Sequence, residues 1–170
     1  MYARSFIDGL EFARNGEKIS GEAPLAKMPR LLDVLENSAG ILAYTVSGGV
    51  DRQGISYLDV NISGNCWLRC QRCLGALEHD VKIETRLLLR DQAGLDALDE
   101  IVAGGTEEEF DSILAESTLD VLNLLEEEIL LSLPIAPKHE SGVCRATDGK
   151  SEHGDESHPF AALAKLRVVK

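Results

Sequence analysis

The chain has 170 residues and a formal net charge of −12, a size at which one domain buries roughly 70% of its unfolded surface without covalent staples. No apolar run approaches the ~18 residues needed to cross a membrane, and the first twenty residues, broken by charge and glycine, lack the apolar core of an export signal. The expected setting is the cytoplasm, where four cysteines are thiols or metal ligands rather than disulfides. The negative charge is localised: residues 91–137 hold thirteen Asp and Glu and no Lys or Arg, while the remainder is nearly balanced. Such a field repels phosphate and attracts basic proteins, ribosomal proteins among them, or serves only as a solvated face.

In chain order, the first clear element is a short helix over Leu31–Leu35. It begins near Pro29 and stops at Asn37, Ser38 and Gly40. Residues 41–50, 54–63 and the stretch CWLRC are rich in β-branched and aromatic residues and alternate between Gly and Asp punctuation, and residues 81–90 continue the pattern. These connections are short and predict an antiparallel meander. In the 81–90 strand Ile83, Thr85, Leu87 and Leu89 share one face, with Lys82, Glu84, Arg86 and Arg90 on the other and Leu88 among them. An acidic helix is predicted over Gln92–Val102, ended by Gly104 and Gly105. Thr106 and Glu109 match a capping box for a long helix, and Phe110–Leu114 fits a short strand equally well. From Leu119 to Leu133 the spacing of Leu122, Leu125, Ile129 and Leu133 predicts a helix packed on the sheet, with Glu126 and Glu127 on its wet side and Pro134 as its stop. Residues 141–157 read as a mobile loop, and 158–167 as a short amphipathic segment with Phe160, Leu163 and Leu166 on one side. The expected whole is a single α+β domain spanning 1–170: an antiparallel β-meander with one packed helix in its C-terminal half and a Cys/His zinc site.

The chemistry gathers at CWLRCQRC, Cys66–Cys73. A C-x-x-C step turns two thiolates toward one ion, and Cys70 and Cys73 form it. Read alone, the octapeptide resembles the iron–sulfur loop of radical S-adenosylmethionine enzymes, in which three thiolates hold a four-iron cluster. The length of the chain argues against the barrel that such enzymes require. Period two places Cys66 on the apolar face of a strand through Leu58, Val60 and Ile62, so it is expected in the core. Trp67 and Arg69 fall on the opposite face, where they cover the sheet. Two further ligands are needed to close a zinc tetrahedron, and PIAPKHESGVC supplies His139 and Cys144 just past the helix stop. His79, His153 and His158 have no comparable pairing and read as surface residues. No nucleophile, base and orienting group assemble from local spacing, so no catalytic residue is assigned.

The succession CQRCLGALEHDV, LDVLNLLEEEILLSLPIAPKHESGVC and HPFAALAKL resembles the bacterial YceD family, the large ribosomal RNA subunit accumulation proteins, over residues 40–166. The resemblance implies a non-enzymatic accessory factor that supports synthesis, processing or stability of large-subunit ribosomal RNA. It places Cys70, Cys73, His139 and Cys144 on the family's cysteine and polar motifs, and leaves Cys66 outside them. It also implies association with a small ribosomal protein of the large subunit. The expected partner is therefore a large-subunit ribosomal precursor, reached through a basic ribosomal protein or by direct contact with rRNA. The competing class is an iron–sulfur or thiol-redox protein using Cys66, Cys70 and Cys73.

Overall fold

The computed structural model describes residues 6–96, 111–140 and 143–144. Its centre is a five-stranded sheet built from β2 (Lys18–Pro24), β3 (Ile41–Val50), β4 (Ser56–Arg69), β5 (Ala76–Arg90) and β6 (Asp111–Leu114), adjacent in that order. Strands β2 to β5 run antiparallel, as expected for 41–90. The last pair is a correction to the pure meander, because β6 lies parallel to β5, with Leu87 opposite Asp111 and Arg90 opposite Leu114. Parallel pairing requires a crossover of a dozen or more residues. The twenty residues between Arg90 and Asp111 supply it, and this longer connection replaces the hairpins of the earlier strands. A separate two-stranded ribbon pairs β1 (Phe6–Ile7) with β7 (Leu119–Asp120).

Alternation decides which side of the sheet is buried. In β4, Leu58, Val60, Ile62, Cys66 and Leu68 point inward while Asn61, Ser63 and Asn65 are not buried. In β5, Val81, Ile83, Leu87 and Leu89 do the same, and Leu88 is buried on the far face, opposite Tyr57. Helical segments cover the inner face: α1 (Gly9–Arg14), a 3-10 turn at Leu25–Lys27, α2 (Pro29–Leu32) and α3 (Val121–Ser132). Asp8 caps α1 by accepting a hydrogen bond from the Glu11 amide at 2.9 Å. The helix then presses its backbone onto β3 at Gly48, where an added Cβ would lie 2.6 Å from Ala13 Cα and the Phe12 carbonyl. Only glycine admits that approach.

Sequence patterning anticipated α2 near Pro29 and α3 near Leu119, but not α1 or β2. Strand β2 reads KISGEAP, with Ala23 its only buried residue, so it carries too little apolar alternation to announce itself. Residues 92–96 are helical. The rest of the expected 92–102 helix, the 141–157 loop and the 158–167 segment lie outside the described residues, apart from Val143 and Cys144.

Helix α3 packs as expected through Leu125 and Ile129, with Asp120 capping it by accepting from the Leu122 amide at 3.0 Å. Glu126 departs from the expected wet side. It is 2% exposed, and its carboxylate accepts the Leu31 amide and the Arg30 Nε, each at 3.0 Å. The reason is tertiary: α2 lies against α3 and offers an unsatisfied first-turn N–H, which the carboxylate caps across 95 residues of sequence. No helix among the described residues is long and apolar enough to cross a membrane.

Candidate metal centre

The site begins where β4 ends. Beyond Arg69 the chain turns through Cys70–Gly75 and returns as β5 at Ala76, so the C-x-x-C step is the tight end of a β-hairpin. Two hydrogen bonds close the turn: Cys70 N donates to Gly75 O and Leu74 N to Cys70 O, both at 2.9 Å. Leu74 takes a left-handed φ of 57° to achieve this, a conformation costing an L-residue roughly 1–2 kcal/mol. Its side chain is 66% exposed, so packing does not explain the strain. The closed turn instead holds the two thiols on the same side and directs the Arg72 amide toward Cys70 Sγ, 3.5 Å away.

The second half arrives from α3. Pro134 ends the helix, and the following extended chain is tied to the hairpin by Gln71 N donating to Pro137 O at 2.8 Å. That anchor delivers His139 and Cys144. The ligand atoms of Cys70, Cys73, His139 and Cys144 all lie within 4.8 Å of one another. Thus the four residues singled out by spacing form one group, while Cys66 and His79 fall outside it.

The spacing within the group fits an ion. Ligands about 2.3 Å (sulfur) and 2.0–2.1 Å (nitrogen) from a tetrahedral zinc stand about 3.8 Å apart for two sulfurs and about 3.6 Å for sulfur and nitrogen. Here Cys70 Sγ and Cys144 Sγ are 3.6 Å apart, Cys73 Sγ and His139 Nδ1 3.4 Å, and Cys144 Sγ and His139 Nδ1 3.5 Å. His139 Nε2 lies 2.9 Å from the Ala76 carbonyl, which can only accept, so Nε2 carries the proton and Nδ1 faces the sulfurs. The residues present are positioned to hold a metal ion.

Electrostatics point the same way. Burial opposes ionisation of Cys70, yet hydrogen bonds from the backbone at Cys73, His139 and Arg72, with Cys144 beside it, outweigh burial and bring the thiol down to about 5. Burial likewise opposes ionisation of Cys144, and Arg72, His139 and Cys73 overcome it. At Cys73 the Gly75 backbone favours the thiolate, but burial and the sulfurs of Cys144 and Cys70 prevail and hold the thiol above its ordinary value. His139 is raised, chiefly by Cys144 and the Ala76 carbonyl. Three thiols and an imidazole therefore converge on a space where the thiolates repel one another, and a cation at their centre relieves the conflict.

Arg72 is the contributor that spacing did not reveal. Its side chain turns into the site. Its Nε donates to Cys144 Sγ at 3.0 Å and its Nη2 to the carbonyls of His139 and Glu140 at 3.1 and 3.3 Å. It clamps the second ligand loop onto the first and offsets thiolate charge. The signal available in the sequence was its position inside the C-x-x-C step. Cys66, by contrast, is fully buried among the core aliphatics, and burial pushes its thiol up to about 11. Its place inside the β4–β5 ladder, opposite His79 and short of the turn, keeps it out of the group formed by Cys70 and Cys73.

The cations on the outer face of β4 and β5 have partners. Arg69 pairs with Glu36 at 2.7 Å, Arg86 grips Asp59 at 2.7 and 2.9 Å and lies over the Tyr57 ring, Lys82 is 3.6 Å from Glu84, and Arg90 donates to Ser112 Oγ at 3.2 Å. Arg69 thereby takes the covering role, binding the 33–40 segment to the sheet, with the Glu36 amide donating to the Trp67 carbonyl at 2.7 Å.

Comparison with known proteins agrees with the motifs. The family model described as "Large ribosomal RNA subunit accumulation protein YceD" matches residues 58–167, well over half of the chain. The chain belongs to the YceD family. A curated YceD-family relative from Haemophilus influenzae, the large ribosomal RNA subunit accumulation protein YceD, is 26% identical over 171 aligned residues, covering 95% of this chain and 94% of its own length. No solved structure matches. The YceD match begins within β4 and takes in the hairpin, α3 and all four grouped residues.

Proposed function

We propose that this protein is a non-enzymatic, cytoplasmic accessory factor in ribosome biogenesis that supports synthesis, processing or stability of large-subunit (23S) ribosomal RNA. Family membership across residues 58–167 carries this reading, and the relative's name states the accumulation of that RNA. Cys70, Cys73, His139 and Cys144 hold a structural zinc ion in it. The metal joins the β4–β5 hairpin to the chain beyond α3, and a closed set of four protein ligands leaves no open position for substrate. Metal analysis of protein purified without chelator tests the assignment: about one zinc per chain is expected, and its absence from wild type would end it.

The direct partner is a large-subunit precursor reached through a basic ribosomal protein. The paired state of Arg69, Lys82 and Arg86 supports protein over rRNA contact, since phosphate binding draws on cations able to release counterions. Crowding of carboxylates supports it from the other side. Glu128 is raised above its ordinary value, first by burial and then by Asp111 and Glu127. Co-purification from a lysate with and without nuclease separates the two partners, and loss of the association on nuclease treatment assigns it to rRNA.

One observation favours a second reading, a thiol-redox protein: the lowered Cys70 thiol. Chain free of zinc and iron that reacts rapidly with iodoacetamide at Cys70 would support it. Iron with sulfide absorbance would support a cluster.

A further inference from the structure

A groove of about 380 Å³ opens between the 33–35 segment, the end of β4 and the end of α3. Leu35 and Leu68 form its buried floor; Val34, Leu130, Leu133 and Ile135 form its walls. Val34 is 44% exposed and Ile135 104% exposed. Large aliphatic side chains so exposed around one concavity mark a surface that something covers.

We propose that the occupant is the chain's own C-terminal segment, residues 158–167. Two independent features lead there. The first is where the described chain ends. Cys144 Sγ is 3.6 Å from Cys70 Sγ, and the adjoining Gln71 and Pro137 line the groove, so the remaining 26 residues start at its edge. The fourteen residues from 145 to 158 span up to roughly 45–50 Å, more than a small domain's diameter, and such a tether supplies a local concentration in the millimolar range. The second feature is pattern: Phe160, Leu163 and Leu166 recur at helical spacing in HPFAALAKLR, an apolar stripe with no assigned role elsewhere. An apolar tail thus meets an apolar groove within its reach. This inference does not depend on the zinc assignment or on the ribosomal partner.

Hydrogen–deuterium exchange of the full-length protein, followed by mass spectrometry, tests it. Amides of 158–167 should exchange at least roughly tenfold more slowly than in an unstructured peptide of the same sequence. Val34→Asp combined with Ile135→Asp should abolish that protection, as should Phe160→Asp alone. Both groove residues are exposed, so the far-UV circular dichroism spectrum and the metal content should not change with them. An unprotected tail in wild type would overturn the proposal. So would protection that survives the groove variants, which would place the tail elsewhere, or protection that grows with protein concentration, which would make the occupant the tail of a second copy.

Discussion

Cys66 and Cys70 point to the same side of one strand path, and the end of the ladder separates a core thiol from a ligand. Cys66 is paired opposite His79 inside the β4–β5 ladder, whereas Cys70 lies one residue beyond the last strand residue, Arg69. Cys70→Ser should therefore empty the metal site, while Cys66→Ala should keep the metal and lose about 1–2 kcal/mol as a small core truncation. Elemental analysis and urea unfolding on the two variants check this. Arg72→Ala should weaken metal retention without unfolding the chain, because the loop bearing His139 and Cys144 loses its three side-chain anchors; a chelator challenge measures it. The pH dependence follows from proton bookkeeping. At neutral pH Cys70 is already ionised, but Cys73 and His139 are both raised and must surrender protons to an ion. Affinity for zinc should thus climb as pH rises from about 6.5 to 8.5 and fall toward acid, as chelator competition at the two ends would show.

Among the elements, α3 does two jobs, and both depend on the same turn. Leu125 is 1% exposed in the core, so Leu125→Asp buries an unpaired charge and should unfold the protein, seen as loss of the cooperative thermal transition. Glu126 faces α2 instead of water and holds its first turn. Glu126→Gln keeps the shape but exchanges a charge-assisted acceptor for a neutral one, and should cost about 1–3 kcal/mol by denaturant unfolding. A true solvent-facing glutamate would cost almost nothing. Periodicity placed Glu126 on the wet side because an i, i+3, i+4 pattern records only apolar faces. It has no means of registering that a second helix brings an unsatisfied amide to the opposite face.

Across the whole molecule, the acidic charge is only partly available to a partner. Within residues 91–137, Asp91 and Asp120 cap helical turns, and Glu126 and Glu127 pair with Arg30. Asp96, Asp111, Glu116 and Glu128 remain among the described residues, and Asp99, Glu100, Glu107, Glu108 and Glu109 lie outside them. Replacing these last three by Gln should weaken association with a large-subunit precursor, read by co-sedimentation at low and moderate salt, with metal content unchanged. If association survives that change and is lost with nuclease, RNA is the direct partner and the acid is a solubilising surface.

Local chemistry determined much of this protein. Alternation in LDVNISGNCWLR and VKIETRLLLR settles strand, face and the buried position of Cys66, because a period of two leaves a side chain only two directions. The C-x-x-C step, with His139 and Cys144 after a proline stop, was enough to name the four residues that converge. Tertiary structure alone decided the rest. Whether His139 and Cys144 reach the hairpin depends on a hydrogen bond between Gln71 and Pro137, and the inward turn of Arg72 depends on the loop that this bond delivers. The parallel pairing of β6, the polar strand β2 and the burial of Glu126 likewise depend on partners far away in sequence. A pattern along the chain records the surface an element presents; the tertiary fold determines which surface it meets.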